Sequence, residues 1–515
     1  MKQLTGLDAS FLYLETANAP MHISGLGIYD PSTAPGGKVR FKDIIRNTNK
    51  RALGLPVMTQ TLMTVPLGMD HPYWVTDGTY DPEFHIRHIA LPEPGDWRQL
   101  CIQIARLHAR PLDRNRPLWE MYVIEGLDNV KGIPRGSFAI FTKTHHAAID
   151  GTSGMEMTAT THDLSPDWQH WKSDAVLNVD PKHPSPLELV LRSQLNNIKT
   201  PFHFLSVARN TVPGLAKAFA GLSRGKLKRI TDIPRTRFNG SVSPHRVFDA
   251  ITVPLDDVKK IKNAVPGATV NDAAIAIVGG ALRKYLAAHN ELPDESLAAM
   301  APINVRTEKD KTGGNIVATM TVAVRSDIED PMARLQAVHE GSRSAKELTN
   351  AVGAKAMTDY TQFIPSMLTA QGARLASRWG LANRISPVFN CVITNVPGPP
   401  IPLYNTGAKL VGNYGTGPVQ DGVGLFHVIS SYCGDFVVSA TSCRQMMPDP
   451  EFYRQCLQDS FDEMLTGANK TSGAPRAGVT PKGKAKPKPK PKPKPKPKPK
   501  PKAKTKAKVK ARPRA

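Results

Sequence analysis

The chain has 515 residues, of which 40% are hydrophobic, so it exceeds the usual size of one hydrophobic core and two domains are expected. Its net charge of +23 is concentrated at one end. Residues 482–515 hold fifteen lysines, two arginines and no acid, which gives +17 and leaves +6 for the rest of the chain. The sequence has no run of 18 apolar residues, so no transmembrane helix is predicted. The weakly basic body contains no recognisable nucleic-acid-binding module.

The N-terminal sequence and the cysteines bear on location. Residues 1–8 lack the basic start and long apolar stretch of a signal peptide. The five cysteines form no CxxC pair and have no metal-ligand spacing, which is typical of reduced thiols; they are Cys101, Cys391, Cys433, Cys443 and Cys456. We therefore expect a cytoplasmic protein whose contact with the inner face of the plasma membrane or with lipid droplets is peripheral.

Residues 1–163 mix strand and helix patterns, which predicts an N-terminal α/β domain. A helix is predicted over residues 97–108, where Leu100, Ile104 and Leu107 share one face. Strands are predicted at 21–29, 83–90, 121–125 and 138–144.

The composition changes in residues 164–245, which we interpret as an interdomain connection. Helix patterns at 187–198 and about 202–222 follow a proline-rich loop. From Lys199 to Arg237 nine basic residues and one acid are interleaved with aromatic and aliphatic residues. Two interpretations of this basic stretch stay open: a surface lying in an anionic lipid interface, and a linker helix packed across both domains.

A second mixed region, residues 246–466, predicts a C-terminal domain of the same α/β class. Helices are predicted from Asn271-Asp272, from Asp330-Pro331 to about Leu348, and over 451–465. Strands are predicted at 318–324, 389–393, 424–430 and 435–440. The helix that opens at Asn271 is almost wholly apolar, which indicates burial.

Residues 467–515 form a tail in which lysine and proline come to alternate. Such a segment has too few apolar side chains to form a core, and its like charges repel, so we predict a disordered, extended tail. We interpret it as an electrostatic tether to an anionic membrane or lipid-droplet surface. A solubilising appendage is the alternative, and no specific nucleic acid is expected as a partner.

The chemistry is carried by the run from His145 to Gly151, which follows the strand predicted at 138–144. It reads His-His-Ala-Ala-Ile-Asp-Gly, so an acid and a glycine follow the paired histidines. Imidazole can remove a proton from a hydroxyl and return it near neutral pH. For an isolated His-His pair a structural role is the stronger interpretation, but Asp150 and Gly151 favour a shaped loop that presents a base.

This motif resembles the signature of acyltransferases with the two-domain chloramphenicol-acetyltransferase-like fold. Further blocks resemble the bacterial wax ester synthase/diacylglycerol acyltransferase family over roughly residues 4–465. They are the opening Leu7-Asp8-Ala9-Ser10-Phe11 to Pro20-Met21-His22, the PLW-like block Pro111 to Glu120, the pair Asn271-Asp272, the drifted block Pro302 to Arg306, and the NVPGP-like block Thr394 to Pro399. The resemblance implies two such domains with a substrate channel between them.

The resemblance implies that His146 is the general base that deprotonates an acceptor hydroxyl as it attacks an acyl-CoA thioester. The role of His145 stays open between orienting the loop and lining the channel. We interpret Asp150 as a structural anchor rather than a proton relay, with an unidentified arginine as its partner, and Gly151 as a requirement of backbone geometry. No nucleophile elbow is present, which suits direct transfer without an acyl-enzyme.

A donor to the thioester oxyanion is also required, and three asparagines in family-like blocks are candidates: Asn271, Asn315 and Asn395. Asn271 is at least as well suited to be a helix N-cap, and for Asn395 a conformational role beside Pro397-Gly398 is favoured. Asp272 is assigned either to the substrate channel or to structure. For the PLW-like block, a loop in which Asp113 and Glu120 pair with arginines is favoured slightly over a channel wall.

The resemblance implies transfer of a fatty acyl group from acyl-CoA to diacylglycerol, giving triacylglycerol, and to long-chain alcohols, giving wax esters. No cofactor is expected, because coenzyme A arrives as part of the acyl-CoA substrate. The alternatives are a carrier-protein-dependent acyltransferase or condensation enzyme, and a catalytically silent lipid-surface protein. The sequence does not indicate an oligomeric state.

Overall fold

The structure, a computed structural model, describes residues 1–149, 157–168, 184–195, 233–304, 317–352, 372, 375 and 377–473. Residues 1–473 form one compact unit. Its strands are β1 (Lys2–Gln3), β2 (His22–Asp30), β3 (Gln60–Met63), β4 (Tyr73–Thr76), β5 (Ile86–Ala90), β6 (Trp119–Glu125), β7 (Phe138–His145), β8 (Arg246–Pro254), β9 (Ala298–Asn304), β10 (Val317–Ala323), β11 (Cys391–Pro397), β12 (Tyr404–Asn405), β13 (Ala408–Thr416), β14 (Leu425–Tyr432) and β15 (Asp435–Cys443). Its α-helices are α1 (Gly6–Leu14), α2 (Phe41–Ala52), α3 (Pro56–Thr59), α4 (Pro82–His85), α5 (Trp97–His108), α6 (Leu255–Asn263), α7 (Val270–Ala288), α8 (Pro331–Val352) and α9 (Pro450–Gly473).

The first large sheet has six strands in the order β12-β13-β2-β7-β6-β5. Successive side chains of a strand point to opposite faces, and β7 shows this alternation clearly. Ala139 and Phe141 pack in the cluster that contains α5, whereas Phe138 and Ile140 pack on the other face in the cluster that contains α2. Both faces of the sheet are therefore covered, which explains why the first four residues of β7 are all apolar.

Two strands of this sheet come from the second half of the chain. β13 pairs antiparallel with β2, from Lys409 opposite Asp30 to Thr416 opposite Ser24, and β12 pairs with β13. Residues 404–416 therefore complete the sheet of the N-terminal half, although they lie within the range that the sequence assigns to a C-terminal domain. We retain residues 1–163, 164–245 and 246–466 as proposed domains, with this segment crossing between them.

The second large sheet has the order β10-β9-β11-β14-β15-β8, and β11 runs parallel to both of its neighbours. Helices α6 to α9 contribute to the large apolar cluster on this sheet. Within α7 the residues from Asp272 to Leu282 are all buried, as its near-total apolarity predicts.

Helix α5 lies between the two large sheets. Its residues Leu100 and Ile104 belong to a cluster that contains Phe141 of the first sheet and also Phe248 and Ala250 of β8 in the second. At its N-terminal end the Trp97 indole N–H donates to Asp249 Oδ1 at 2.8 Å. One helix therefore contributes apolar surface to both halves of the molecule.

The α/β class with two sheet-rich halves is confirmed, and the predicted helix over 97–108 coincides with α5. The strand predicted over 83–90 is shorter, because Pro82 begins the short helix α4 under an Asp81 N-cap and β5 starts only at Ile86. Helix α9 continues to Gly473, beyond the predicted end of the domain at residue 466. The helix predicted at about 202–222 and the lysine-proline tail lie outside the described residues.

None of the helices in the described ranges combines the length and the apolarity that crossing a bilayer requires. All five cysteines are free thiols, and Cys433 is the exposed one.

Candidate active site

The two histidines stand where β7 ends and the chain turns. The turn is fixed by backbone hydrogen bonds: His145 N–H donates to Leu118 O at 3.0 Å, and His146 N–H donates to Met21 O at 2.8 Å. Ala148 N–H then donates back to His145 O at 2.9 Å. Because β2 and β6 flank β7 on either side, the position of His146 is set by the sheet itself.

The side chain of His145 is buried and both of its ring nitrogens are engaged. Nδ1 accepts the backbone N–H of Ala147 at 3.0 Å, so the ring proton must reside on Nε2. Nε2 lies 3.0 Å from Glu15 Oε2 and donates to it. His145 therefore holds the turn in place, and neither of its ring nitrogens is available to a substrate. This favours the loop-orienting role over the channel-lining one.

Glu15 is the acid that holds His145. It directly follows α1, and it accepts the Met21 N–H at 3.0 Å and the Arg114 guanidinium at 2.8 Å besides the imidazole. Burial alone would raise the pKa of this carboxyl. The hydrogen bond from His145, with the charge of Arg114, outweighs burial and lowers the pKa to about 2. Glu15 is therefore ionised at neutral pH.

The ring of His146 is stacked on Phe11 of α1, with ring centroids 3.9 Å apart and an interplanar angle of 13°. Its Nδ1 is buried and has no hydrogen-bond partner within the described part of the chain. Burial lowers the pKa of His146 to about 4, because the charged form would lose its hydration. The imidazole is therefore neutral at pH 7, which is the protonation state that a general base requires.

Two further histidines are buried on the α5 side of the first sheet. His22 lies opposite His145 across the β2–β7 pair, and their rings are 5.9 Å apart. The His108 ring is 6.3 Å from that of His22 and hydrogen-bonds to Ser24 Oγ at 2.9 Å. Burial lowers the pKa of both side chains, that of His108 to about 3. His22 and His108 are therefore neutral at pH 7 and add no positive charge beside His145.

A cleft of about 470 Å³ opens beside Glu15 and Arg114. Ser377 and Arg378 line another part of its wall, and Asn18 lines it near α1. The cleft therefore reaches the acid that positions the histidine turn.

The PLW-like block supports the turn from β6. Leu118 and Trp119 are buried, and the Trp119 indole N–H donates to Met58 O at 2.9 Å. The predicted ion pairs within the block are only partly present, since Arg116 lies 4.0 Å from Asp113. Arg114 instead pairs with Glu15, and Glu120 with the buried Lys143 at 3.1 Å, because the folded sheet brings these distant partners closer than the loop does.

The Asn271-Asp272 pair stands at the start of α7. Thr269, not Asn271, is the N-cap, and it forms a capping box with Asp272. The alternative that made Asn271 the cap is wrong, because the helix starts at Val270, two residues before the start that this cap would give. Asp272 Oδ2 also binds His339 Nδ1 at 3.0 Å, and its Oδ1 is buried without a hydrogen-bond partner in the described part of the chain.

Asn395 lies exposed near the end of β11. The glycine that follows in this block is required by close packing: a Cβ at Gly398 would lie 2.3 Å from Ser431 O. Within the described residues, none of Asn271, Asp272 and Asn395 hydrogen-bonds to either histidine of the turn. Their assignment to the substrate channel or to structure therefore stays a prediction.

Several predicted features lie outside the described residues: Asp150, Gly151, Asn315 and most of the basic stretch from 199 to 237. The described end of that stretch contacts protein. Arg237 pairs with Glu291 at 2.7 Å, and Arg235 donates to the carbonyl oxygens of Ala382 and Ile385.

Sequence reasoning gave no role to Phe11 or Glu15, and it paired Arg114 with acids of its own block, although all three stand in the family-like blocks. No local pattern joins them, because Glu15 lies 130 positions before His145 and Arg114 lies 31 positions before it. A lone acid at a helix end carries no signal of its own. The family-like opening of the chain was the only available indication that this segment belongs to the site.

Comparison with known proteins gives a consistent result. The family model for the wax ester synthase/diacylglycerol acyltransferase catalytic domain matches residues 4–274, and the model for the C-terminal domain of the same family matches residues 313–465. The protein tgs2 of Mycobacterium tuberculosis strain H37Rv, whose name describes a probable diacylglycerol O-acyltransferase, is 31% identical over 471 residues, which cover 89% of this chain and 97% of tgs2.

Solved structures agree with this. A wax ester synthase/diacylglycerol acyltransferase from Marinobacter aquaeolei VT8 superposes with a TM-score of 0.63 at 26% identity, covering 91% of this chain and all of that one. The first condensation domain of the CDA synthetase has a TM-score of 0.51 at 13% identity, with 91% and 96% coverage, which is a likeness of fold alone.

Proposed function

Because the chain belongs to the wax ester synthase/diacylglycerol acyltransferase family and is therefore an acyltransferase, we propose that it transfers a fatty acyl group from acyl-CoA to diacylglycerol, and also to long-chain alcohols. The observation that carries this proposal is the neutral, half-buried imidazole of His146, held at a strand end beside Phe11. We propose that His146 is the general base.

In the proposed reaction the acceptor hydroxyl loses its proton to the unprotonated ring nitrogen of His146 while its oxygen bonds to the thioester carbonyl carbon. The tetrahedral intermediate then collapses, the carbon–sulfur bond breaks, and the coenzyme A thiolate takes the proton from His146. The products are an ester and free coenzyme A, and the base is regenerated. This sequence uses no metal or redox cofactor, and base catalysis of this kind contributes about 10²–10⁴-fold to rate.

The remaining residues of the site position the base. Glu15 fixes the His145 ring, and His145 in turn fixes the backbone of the turn through Ala147. Phe11 limits the rotation of the His146 ring by stacking. Misplacement of a catalytic group by about 1 Å can cost about 100-fold in rate, so this support is expected to matter.

For the acceptor, the names of the relatives support diacylglycerol, and the family supports both acceptor types. An anionic membrane or lipid-droplet surface is the expected source of such apolar acceptors. The +17 charge of residues 482–515 supports association with that surface.

The test is an assay of the purified full chain with labelled acyl-CoA, using diacylglycerol and hexadecanol as acceptors. We expect ester formation by the wild type and a loss of about 10²–10⁴-fold in His146→Ala. His88→Ala is the matched control. His88 is a partly exposed histidine on β5 that pairs with Glu125 of β6, so we expect this substitution to leave the rate unchanged.

The two alternatives give different results in the same assay. Transfer only from an acyl group carried on a carrier protein would identify a condensation-type enzyme. No transfer from either donor would identify a lipid-surface protein. Full activity of a folded His146→Ala protein would disprove the assignment of the base.

A further inference from the structure

A basic pocket of about 230 Å³ lies where the end of α5 meets the start of β8. Five basic side chains line it: Arg106, Arg110, His245, Arg246 and Arg444. The other described residues that line it are alanines and a proline, and no acid is among them. The pocket therefore concentrates positive charge in a concave surface.

In the part of the chain that the structure describes, these guanidinium groups have no acidic partners. Among the described residues, no carboxylate lies within ion-pair distance, 4.0 Å, of Arg106, Arg110, Arg246 or Arg444, whereas other arginines of the chain do pair, as Arg51 does with Asp163 at 2.7 Å. Like charges gathered in one pocket repel one another. Clustering without compensation is thus unfavourable for the fold and calls for another explanation.

Arg246 distinguishes this pocket from an ordinary surface cluster of arginines, because its side chain is buried. It is 5% exposed, and its guanidinium donates to the carbonyl oxygens of Ser243 and Asn18. Burial lowers its pKa to about 10, so it remains charged at neutral pH. Asp421 favours that charge from beyond ion-pair distance, but its Oδ1 already accepts the Val242 N–H. A buried cation without a carboxylate is costly, and a bound anion would offset that cost.

The position of the pocket connects it to the candidate active site. It lies between the two halves, where ligand sites are common. The ring of His108, at the end of α5, lies 6.3 Å from the ring of His22, which in turn lies 5.9 Å from the ring of His145. Asn18, which accepts from Arg246, also lines the cleft beside Glu15.

We propose that this pocket binds a phosphate group of a ligand. Arginine forks match the geometry of phosphate oxygens and bind them through paired hydrogen bonds. Two sources carry such a group: the coenzyme A part of the acyl donor, which rests on the proposed function, and the headgroup of an anionic phospholipid. Both present phosphate oxygens to the same four guanidinium groups.

The test measures binding of coenzyme A, dephospho-coenzyme A and phosphatidylglycerol vesicles to the full chain by titration calorimetry. The variant is Arg106→Ala/Arg444→Ala, because both side chains are exposed and their loss should leave the fold intact. The control is Lys131→Ala/Arg135→Ala, which removes two positive charges from an exposed turn elsewhere. Thermal unfolding of each variant confirms that it is folded.

We expect the pocket variant to bind one of the probes about tenfold more weakly or worse, and the control to bind like the wild type. Weaker binding of coenzyme A alone identifies the acyl donor as the source, and weaker binding of vesicles alone identifies the headgroup. Unchanged affinity for every probe, or an equal loss in the control, would overturn the proposal. Binding of coenzyme A requires no transfer, so a chain that binds through this pocket but forms no ester refutes the proposed function and not the pocket.

Discussion

The Nε2 of His145 donates to Glu15 Oε2 at 3.0 Å, across 130 positions of sequence. This bond ties the segment that follows α1 to the end of β7. On the opposite side of the same ring, Nδ1 receives the Ala147 N–H. The paired histidines therefore have different tasks: one is a fixed part of the scaffold, and the other has a ring nitrogen available for a proton.

Replacing Glu15 by Gln should destabilise the fold and slow catalysis. The charged hydrogen bonds to His145 and Arg114 would be weakened, at a cost of about 1.5–3 kcal/mol in the free energy of unfolding. Because the folded pKa of Glu15 is about 2 and its usual value is 4.5, the wild type holds this advantage above pH 4.5 and loses it as pH falls towards 2. Denaturant unfolding at pH 7 and at pH 3 measures the difference, which should shrink at the lower pH. Equal differences at both pH values would contradict an ionised Glu15.

The acid limb of the rate profile should lie well below the range usual for histidine. Only neutral His146 can accept a proton, and burial lowers its pKa to about 4, so activity should persist on acidification to about pH 5 and fall near pH 4. The profile of kcat/KM reports the pKa of the free enzyme and is the quantity to measure. A midpoint near 6.5 would show that the ring is hydrated in solution.

Phe11→Ala should reduce the rate by roughly two- to tenfold, since aromatic pairs contribute about 0.5–1.5 kcal/mol. Loss of the stacked ring also exposes His146 to water, so the acid limb of kcat/KM should move upwards towards the ordinary pKa of histidine. Phe11→Tyr keeps the stack and serves as the control. A lower rate with an unmoved acid limb would assign Phe11 to general packing instead.

Asp272→Ala should act on stability more than on catalysis. It removes the capping box of α7 and the bond to His339, and loss of such caps costs about 0.5–2 kcal/mol. Thr269→Ala removes only the cap and should give a smaller loss. Melting temperature and kcat of both variants provide the comparison; a large fall in kcat with an unchanged melting temperature would place Asp272 in the substrate channel.

Removal of residues 474–515 should leave the compact unit intact, because α9 ends at Gly473. We expect weaker binding to vesicles that contain anionic lipid, most clearly at low ionic strength, where charge attraction is least screened. Sedimentation of vesicles with bound protein at two salt concentrations is the measurement. Undiminished binding by the truncated chain would remove the tether interpretation.

The sequence was informative where a pattern is local. The apolar face of α5 and the uninterrupted apolarity of α7 are periodic signals, and both helices are present as predicted. β7 was recognised because an apolar run leads to the histidine pair His145-His146. Strand β13 was missed, because its alternation is interrupted by Gly412 and Gly415.

The partners of the histidines could not be predicted from local patterns. Glu15 pairs with His145, and Lys143 with Glu120, only because β2, β6 and β7 lie side by side. Ion pairs within the PLW-like block were expected from proximity in sequence, whereas the fold gives Arg114 and Glu120 partners outside the block, Glu15 and Lys143.

The path of β12 and β13 has a consequence for attempts to divide the protein. Without residues 404–416, β2 would become a bare sheet edge, with its backbone N–H and C=O groups open to other chains. A fragment that ends at the interdomain connection would retain both histidines but lack strands β12 and β13 of their sheet. We expect such a half to aggregate rather than fold, and residues 1–473 to behave as one folding unit.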